Sequence, residues 1–496
     1  MPDHVELRRG AYYDSVSLMQ VSRAVAGAPG VDSAQVAMAT ELNTDLIRGM
    51  GFTLPDDVST NDLVIAIRGG DAGIASGQAA LEAALAGLRS AASQAGGFGE
   101  APPPRTLGGA IRSAQASLAL VSVPGQHATV EAFDAIHAGV SVMLFSDNVP
   151  VEDEIRLKEA ASEADVLVMG PDCGTAVVGG VALGFANAVR PGSVGLVAAS
   201  GTGAQQVMCL LDAAGVGMSH CLGVGGRDLS SAVAGRSTKQ ALAALAADEG
   251  TASIIVVSKP PAPEVLADIE AYAAGLGKPV HWATLGAGRP DLTAAVEAAL
   301  RADGHSVPRW PSWDIEQSSA TTGFLRGLFC GGTLADEAML IASERLGGIR
   351  SNIPLSPELA LAADLRDEGH VVIDFGDDSM TQGRAHPMID PSLRLERIAD
   401  EAADPTCGVL LLDLVLGHGA HPDPAGELAD AIRAARAAAA TGGRALPVVV
   451  SLTGVEADPQ GLTRCAEVLH DAGASVHLSN AQATRRARSL LPVDAR

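Results

Sequence analysis

The sequence predicts an α/β protein: a small N-terminal α/β domain, a Rossmann-like segment and two flavodoxin-like, doubly wound parallel sheets. Three observations carry that expectation. Short runs rich in Val, Ile and Leu recur along the chain, each followed by a longer amphipathic stretch. That is the rhythm of buried parallel strands joined by crossover helices. Apolar residues make up 47% of the 496 positions but aromatics only 3%, with 56 glycines, so small side chains line the helix–sheet contacts. Glycine clusters stand directly after the apolar runs, where strands turn into helices and ligands bind in such sheets.

The length argues for several cores. Two segments break all periodicity and read as linkers: the Gly/Pro-rich SQAGGFGEAPPPR at 93–105 and the polar HSVPRWPSWDIEQSSATTG at 305–323. They set off an N-terminal α/β domain at 1–92, with strands AQVAMAT and DLVIAIRG. A Rossmann-like segment follows at 106–190, with strands ASLALVSVP, SVMLFSD and VLVMGPDC. The first flavodoxin-type unit spans 191–304, with strands SVGLVAA, MSHCLGVGG, ASIIVVS and KPVHWATL. The second spans 324–496, with HVVIDFG, CGVLLLDLVLGHG, LPVVVSLTG and ASVHLSN.

A formal net charge of −24 repels nucleic acid and anionic membranes. An anionic small-molecule substrate must therefore be held by local donors, such as backbone N–H groups at helix starts. The six cysteines form no CxxC pair and are expected as reduced thiols in the cytoplasm, without a zinc site. No signal-peptide core and no long apolar run is seen, so neither secretion nor a membrane span is expected.

Several strand ends carry candidate chemistry. Ser200-Gly201-Thr202-Gly203 is no nucleophile elbow, because Ala198 stands where GxSxG needs glycine. No Gly-Lys-Ser/Thr follows to make a Walker A loop. It reads either as a phosphate or carboxylate cradle at a helix start, or as a plain serine cap. Gly170-Pro171-Asp172-Cys173 is a turn suited to a backbone-lined pocket, with Cys173 a pocket-lining thiol rather than a nucleophile. Gly417-His418-Gly419 follows a strand and is expected to open a helix. His418 there is a general base, a phosphate ligand, a phosphoryl carrier or a plain turn histidine. The loop 374–391 packs Asp374, Asp377, Asp378, Arg384, His386 and Asp390 together. Its acids suit Mg²⁺ held through water, and Arg384 suits a carboxylate or phosphate; a solvated loop is the plain alternative. Cys330-Gly331-Gly332-Thr333 is a second strand–glycine–helix junction. Lys259 ends a strand and either meets an anion or lies on the surface.

Longer stretches carry a family resemblance. VSVPGQHATVEAFDAIHAG, GPDCGTAVVGG, SGTGAQQV and GVGGRD resemble the α subunit of succinyl-CoA synthetase, with its VPxxxA stretch, GPNCPG loop, SRSGTL helix start and VGIGGDP turn. LLLDLVLGHGAHPD and LPVVVSLTGVEAD resemble the carboxyl domain of its β subunit. GAYYDSVSLMQVSRAV, VMLFSDNV, VSKPP, CGGTLADEA and GRAHPMIDP look like FdrA-type proteins, where α-like and β-like parts are fused behind a distinct N-terminal domain. The resemblance covers nearly the whole chain. It implies two helix starts facing each other across a phosphate site, matched here to Ser200-Gly201-Thr202 and Gly417-His418-Gly419. The ligase's glycine-rich CoA turn and its GHAGA phosphohistidine loop have no counterpart; TLGGAIRSAQAS and KPVHWATLGAGRPDLT stand there. This argues against CoA and against a phosphohistidine relay, and ATP use would need a partner chain.

The resemblance further implies a subunit of an oxamate carbamoyltransferase in purine and allantoin nitrogen catabolism. That enzyme turns oxalurate and phosphate into oxamate and carbamoyl phosphate, with phosphate as co-substrate. Phosphate would sit between Ser200–Gly203 and Gly417–Gly419. Arg384 would hold the substrate carboxylate, and His386 or His418 would move protons. The expected pocket adds Gly170, Pro171, Asp172 and Cys173 to Lys259, Cys330, Gly331 and Gly332. Partner subunits or a homo-oligomer are expected. An acyl-CoA ligase of the succinyl-CoA type and a non-catalytic anion-binding scaffold are the alternatives.

Overall fold

The computed structural model describes residues 2–11, 13, 15–55, 57–93, 104, 106–316, 323–381 and 384–491. Apart from 93 and 104, the linker expected at 93–105 lies outside the described residues, as do 317–322 of the second linker.

The first unit is an antiparallel sheet of β1 (Asp3–Arg8), β2 (Val31–Met38) and β3 (Leu63–Gly69), ordered β1-β3-β2. Helices α1 (Ser15–Ala26), α2 (Glu41–Gly49) and α3 (Asp71–Ser93) accompany it. The central strand is apolar from Leu63 to Ile67 because both its faces are covered there. Leu63, Ile65 and Ile67 pack with Leu18, Val21 and Leu81, while Val64 and Ala66 pack with Ile47 and Phe52. The edge strand β1, with His, Glu and Arg among its six residues, has no apolar run to betray it in the sequence.

The second unit holds α4 (Leu107–Ala114), β4 (Leu118–Val121), α5 (Gly125–His137), β5 (Ser141–Leu144), α6 (Val151–Glu163) and β6 (Val168–Met169). Its strands form a small parallel sheet, β4-β5-β6. A hairpin of β7 (Thr175–Val178) and β8 (Val181–Gly184) then leaves that sheet, and β7 pairs with β10 (Met218–Gly223) of the next one. Residues 175–184, grouped by sequence with the Rossmann-like segment, thus extend the first flavodoxin-type sheet.

That sheet also contains β9 (Pro191–Ala199), β11 (Ser253–Ser258) and β12 (Val280–Thr284), interleaved with α7 (Gly201–Ala213), α8 (Arg236–Ala247), α9 (Pro263–Ala273) and α10 (Leu292–Ala302). The order β12-β11-β9-β10-β7-β8 reverses direction between β9 and β11. The last unit has β13 (Ser312–Trp313), β14 (Phe324–Phe329), α11 (Gly332–Leu346), β15 (Arg350–Ser351), β16 (Val371–Asp374), α12 (Asp378–Thr381) and α13 (Ser392–Ala403). It continues through β17 (Cys407–Val415), α14 (Pro424–Thr441), β18 (Val448–Thr453), α15 (Leu462–Asp471), β19 (Ala474–His477) and α16 (Asn480–Ser489). The order is β13-β19-β18-β17-β14-β16-β15, a doubly wound sheet that reverses between β14 and β17. In such sheets the crevice for ligands lies beyond the strand ends at the reversal.

The two large sheets share one core. Apolar residues of β9, α7 and α10 pack with those of α11, β14 and β17 in a single cluster. Buried polar groups cross the seam: Gln206 Nε2 donates to Leu478 O at 3.0 Å, and Asn187 Nδ2 donates to Leu416 O at 3.0 Å. The strand ends of the two sheets are thereby brought to one place. No helix among the described residues is long and apolar enough to cross a membrane.

Candidate active site

A cavity of about 600 Å³ lies where all four units meet. Its floor is made by two helix starts. Ser200, just after β9, caps α7 by accepting the Gly203 N–H at 3.0 Å. Its hydroxyl also shares a 2.6 Å hydrogen bond with Thr333, in the first turn of α11. The backbones approach closely here, because a Cβ placed on Gly331 would lie 2.6 Å from Thr202 Oγ1. No side-chain hydrogen bond caps α11, and the starts of both helices line the cavity. Two adjacent helix N-termini concentrate partial positive charge.

The Cys330–Gly331 turn is held from below. Asp413, buried in β17, accepts Cys330 N–H at 2.8 Å and Cys330 Sγ at 3.3 Å, and pairs with Arg394 Nη1 at 2.7 Å. Burial and Asp413 hold the Cys330 thiol well above its ordinary pKa, which rules it out as a thiolate nucleophile. Burial likewise pushes Cys173 up to about 12. Cys173 lines the cavity as an inert thiol, its Sγ donating to Thr175 O at 3.5 Å.

Lys259 follows β11 and reaches across to the other sheet. A Cβ placed on Gly332, the first residue of α11, would lie 3.0 Å from Lys259 Nζ and 2.6 Å from Asp374 Oδ2. Burial alone would lower the lysine pKa, but Asp336, Asp374 and Asp172 outweigh it and raise it, so Lys259 is charged. The carboxyls shift the other way. Burial pushes Asp336 up to about 6 and Asp374 up to about 7, each opposed by Lys259. Asp172 opens onto the cavity yet has protein on most sides; burial and then Asp378 push it up to about 7. Burial and Asp147 raise Asp378 as well. Lys259 is thus a fixed cation set among carboxyls that titrate near neutrality.

His386 also lines the cavity, tilted against Phe185 at 5.6 Å between ring centroids. Its Nδ1 accepts the Met388 N–H at 3.2 Å, which leaves the proton on Nε2. Burial, followed by Arg394, pushes its pKa down to about 4. The histidine is therefore a neutral N–H donor at neutral pH. Arg384 lines the cavity with its side chain exposed.

Other expectations are corrected by the geometry. Gly417-His418-Gly419 opens no helix, since α14 begins at Pro424, and none of the three lines the cavity that Ser200 lines. His418 N–H donates to Ala186 O at 2.8 Å, and Gly417 N–H donates to Gln460 Oε1 at 3.0 Å. A Cβ on Gly417 would lie 2.6 Å from Ala186 O. The glycines let two chain segments touch, so the motif is a seam between the sheets, with the His418 side chain exposed outside the cavity. The partner of Ser200 is the Cys330–Thr333 junction. Gly170 and Pro171 lie behind the cavity wall, where a Cβ on Gly225 would come within 2.5 Å of Pro171 O. The acids of the 374–391 loop do not gather as a metal set: among the described residues, no three His, Cys, Asp or Glu side chains are placed to hold an ion.

Sequence reading missed Asp336, Asp413 and the contribution of the first unit. Signals for the first two existed. Asp336 lies three residues after Thr333, on the same helix face. Asp413 is an acid inside the apolar run LLLDLV, where an unpaired carboxylate would be costly.

Comparison with known proteins agrees with this architecture. Residues 328–490 match the CoA-ligase family, and residues 1–102 match the AllF heavy metal-associated domain. The latter residues contain no cysteine, so the soft thiolate ligands that a heavy metal favours are missing. The uncharacterized protein YahF of Escherichia coli K12 is 38% identical over 510 aligned residues, covering 98% of both chains. Subunit alpha 2 of the ADP-forming succinate–CoA ligase of Archaeoglobus fulgidus is 29% identical over 154 residues, covering 30% of this chain and 52% of that subunit. Among solved structures, ATP citrate lyase from Methanothrix soehngenii, in complex with citrate and coenzyme A, is 17% identical with a TM-score of 0.33, covering 41% of this chain and 38% of that one. By its 38% identity to YahF the chain belongs to the YahF family, as an α/β protein with an AllF-type N-terminal domain and a CoA-ligase domain.

Proposed function

We propose that this protein is a CoA-ligase-type enzyme subunit that handles an acyl phosphate, its phosphoryl group seated in the cavity against the touching starts of α7 and α11. The observation that carries the reading is the convergence of those two helix starts at the 2.6 Å Ser200–Thr333 contact, with Lys259 beside Gly332. Each helix start presents a partial positive charge of roughly half a unit, and Lys259 adds a whole one. Together they offset the repulsion of an anion by a chain of net charge −24.

The chemistry follows from the same groups. An acceptor attacks the acyl carbon, the bond from that carbon to the phosphate oxygen breaks, and inorganic phosphate stays in the cradle. The acceptor's proton passes to Asp172 or Asp374, whose pKa values near 7 suit general-base work. The Nε2–H of His386 donates to the oxygen that gains charge. In reverse, bound phosphate attacks the acyl group.

The CoA-ligase domain and the succinate–CoA ligase relative favour a thiol acceptor. The adenosine arm of CoA is a poor fit. Helix α4, capped by Thr106, precedes β4, and no strand–GxGxxG–helix turn is formed by the described residues to cradle a diphosphate. That misfit, with the AllF-type match over 1–102, favours a second reading. In it the chain is an FdrA-type carbamoyltransferase subunit, making carbamoyl phosphate from oxalurate and phosphate, with Arg384 on the substrate carboxylate and partner subunits or a second copy alongside.

Calorimetric titration with inorganic phosphate tests the shared core. Wild type is expected to bind, and Lys259→Met to bind about 10–100-fold more weakly, as loss of a charged hydrogen bond implies. Failure of wild type to bind phosphate overturns the proposal. Carbamoyl phosphate release from oxalurate and phosphate selects the carbamoyl reading; thioester formation from ATP, CoA and a carboxylate selects the ligase reading.

A further inference from the structure

We infer that the N-terminal domain is the substrate-recognition wall of the active cavity, and that it reads an uncharged, hydrogen-bonding acyl end through Gln35, Asn43 and Asn61. This rests on the acyl-phosphate reading above and adds to it the identity of the domain that selects the acyl group.

The first ground is how charge is divided around the cavity. Lys259, Arg227, Arg384 and the aspartates all come from the two sheets and the Rossmann-like unit. Every described lining residue that the N-terminal domain contributes is uncharged. That domain is not short of charge elsewhere: Arg8, Arg48, Arg68, Asp3, Asp45 and Glu82 all form ion pairs on its surface. The neutral wall is a local property of the face turned to the cavity.

The second ground is its chemistry. Leu18, Met19 and Met38 supply apolar contact there, and three carboxamides supply donors and acceptors together. Gln35 lies on β2, the edge strand of its sheet, and the four consecutive residues 35–38 line the cavity. The Gln35 carboxamide has no hydrogen-bond partner within the protein among the described residues. Asn43 Nδ2 donates to Met38 O at 2.8 Å, which fixes that carboxamide against the same strand. A second carboxylate on the ligand would face this wall without a cation. A neutral polar acyl end, such as an amide or carbamoyl group, finds both partners it needs.

The third ground is how the wall is held. Arg23, in the last turn of α1, pairs with Glu427 Oε1 of α14 at 2.7 Å and donates through Nη1 to Ile389 O. Ile389 and its neighbour Met388 line the cavity. Arg23 thus ties the N-terminal domain to the loop that also carries His386, and it acts as a positioning residue.

The test compares two probes on the full chain, inorganic phosphate and carbamoyl phosphate. Wild type is expected to bind carbamoyl phosphate more tightly than phosphate. Gln35→Met and Arg23→Ala should weaken carbamoyl phosphate by about 10-fold, as an unmet polar contact implies, while phosphate affinity stays within about twofold. Gln35→Ala, with an unchanged melting temperature, separates lost recognition from misfolding. If wild type binds phosphate but gains nothing from the carbamoyl group, or if the variants weaken both probes equally, the wall reading is overturned and the cradle stands. If wild type binds neither, the cradle reading falls and the wall falls with it.

Discussion

Burial works against the charge on Lys259 and the surrounding Asp336, Asp374, Asp172 and Asp377 restore it, although burial also disfavours the ionisation of Asp336, Asp374 and Asp172 themselves. Asp374 illustrates the consequence. Its folded pKa is raised from 3.8 to about 7, first by burial. A raised carboxyl binds its proton more tightly when folded, so its contribution to stability is full below the unfolded value and is lost as pH rises through about 7. Asp374→Asn removes that loss while still offering an oxygen to the Gly376 N–H, now bonded at 2.9 Å. Thermal melts should show the variant gaining on wild type between about pH 4 and about pH 7. A pH-independent difference would contradict the assignment. Phosphate affinity should fall as pH rises through about 7, where Asp172 and Asp374 ionise beside the cradle.

Helices α7 and α11 make the cradle as a pair. Ser200→Ala removes a cap worth about 1 kcal/mol and leaves the Thr333 hydroxyl without its partner. Denaturant unfolding should register that loss, and calorimetry a weaker phosphate site. Gly331→Ala is the sharper probe. Its methyl group would meet Thr202 at 2.6 Å, so the helix starts must part. Overpacking of this kind costs about 1–3 kcal/mol. Phosphate binding should fail while far-UV circular dichroism is unchanged. Retained binding would place the anion elsewhere.

The whole molecule depends on the seam between its two large sheets. Asp458 accepts hydrogen bonds from Asn187 Nδ2 at 2.8 Å, Ala188 N–H at 2.7 Å and Val455 N–H at 2.8 Å. Its removal strands two donors on the other half of the chain. Each buried unsatisfied group costs about 1–3 kcal/mol. Asp458→Ala should therefore uncouple the sheets, and calorimetry should show one transition broaden or split. A single sharp transition at a slightly lower temperature would mean that the shared apolar core alone couples them.

Much of the fold was legible because strand and helix periodicity are local properties of the chain. Runs such as SIIVVS and LPVVVSLT announce buried parallel strands whatever surrounds them, and Ser200 announces a helix start. The polar edge strand β1 gave no such signal, and the hairpin at 175–184 joined a sheet that its position in the chain did not indicate. Which glycine turns converge was not legible either. Ser200-Gly201, Cys330-Gly331 and Gly417-His418 look alike in sequence, each a small-residue turn after an apolar run. Pairing them depends on how the two sheets dock, and docking is a sum of contacts between residues hundreds of positions apart. That sum places Thr333 against Ser200, closes Gly417 onto Ala186, and leaves His418 outside. The titration of Lys259, Asp374 and His386 follows from the same packing, since desolvation and neighbouring charge exist only once the chain is folded.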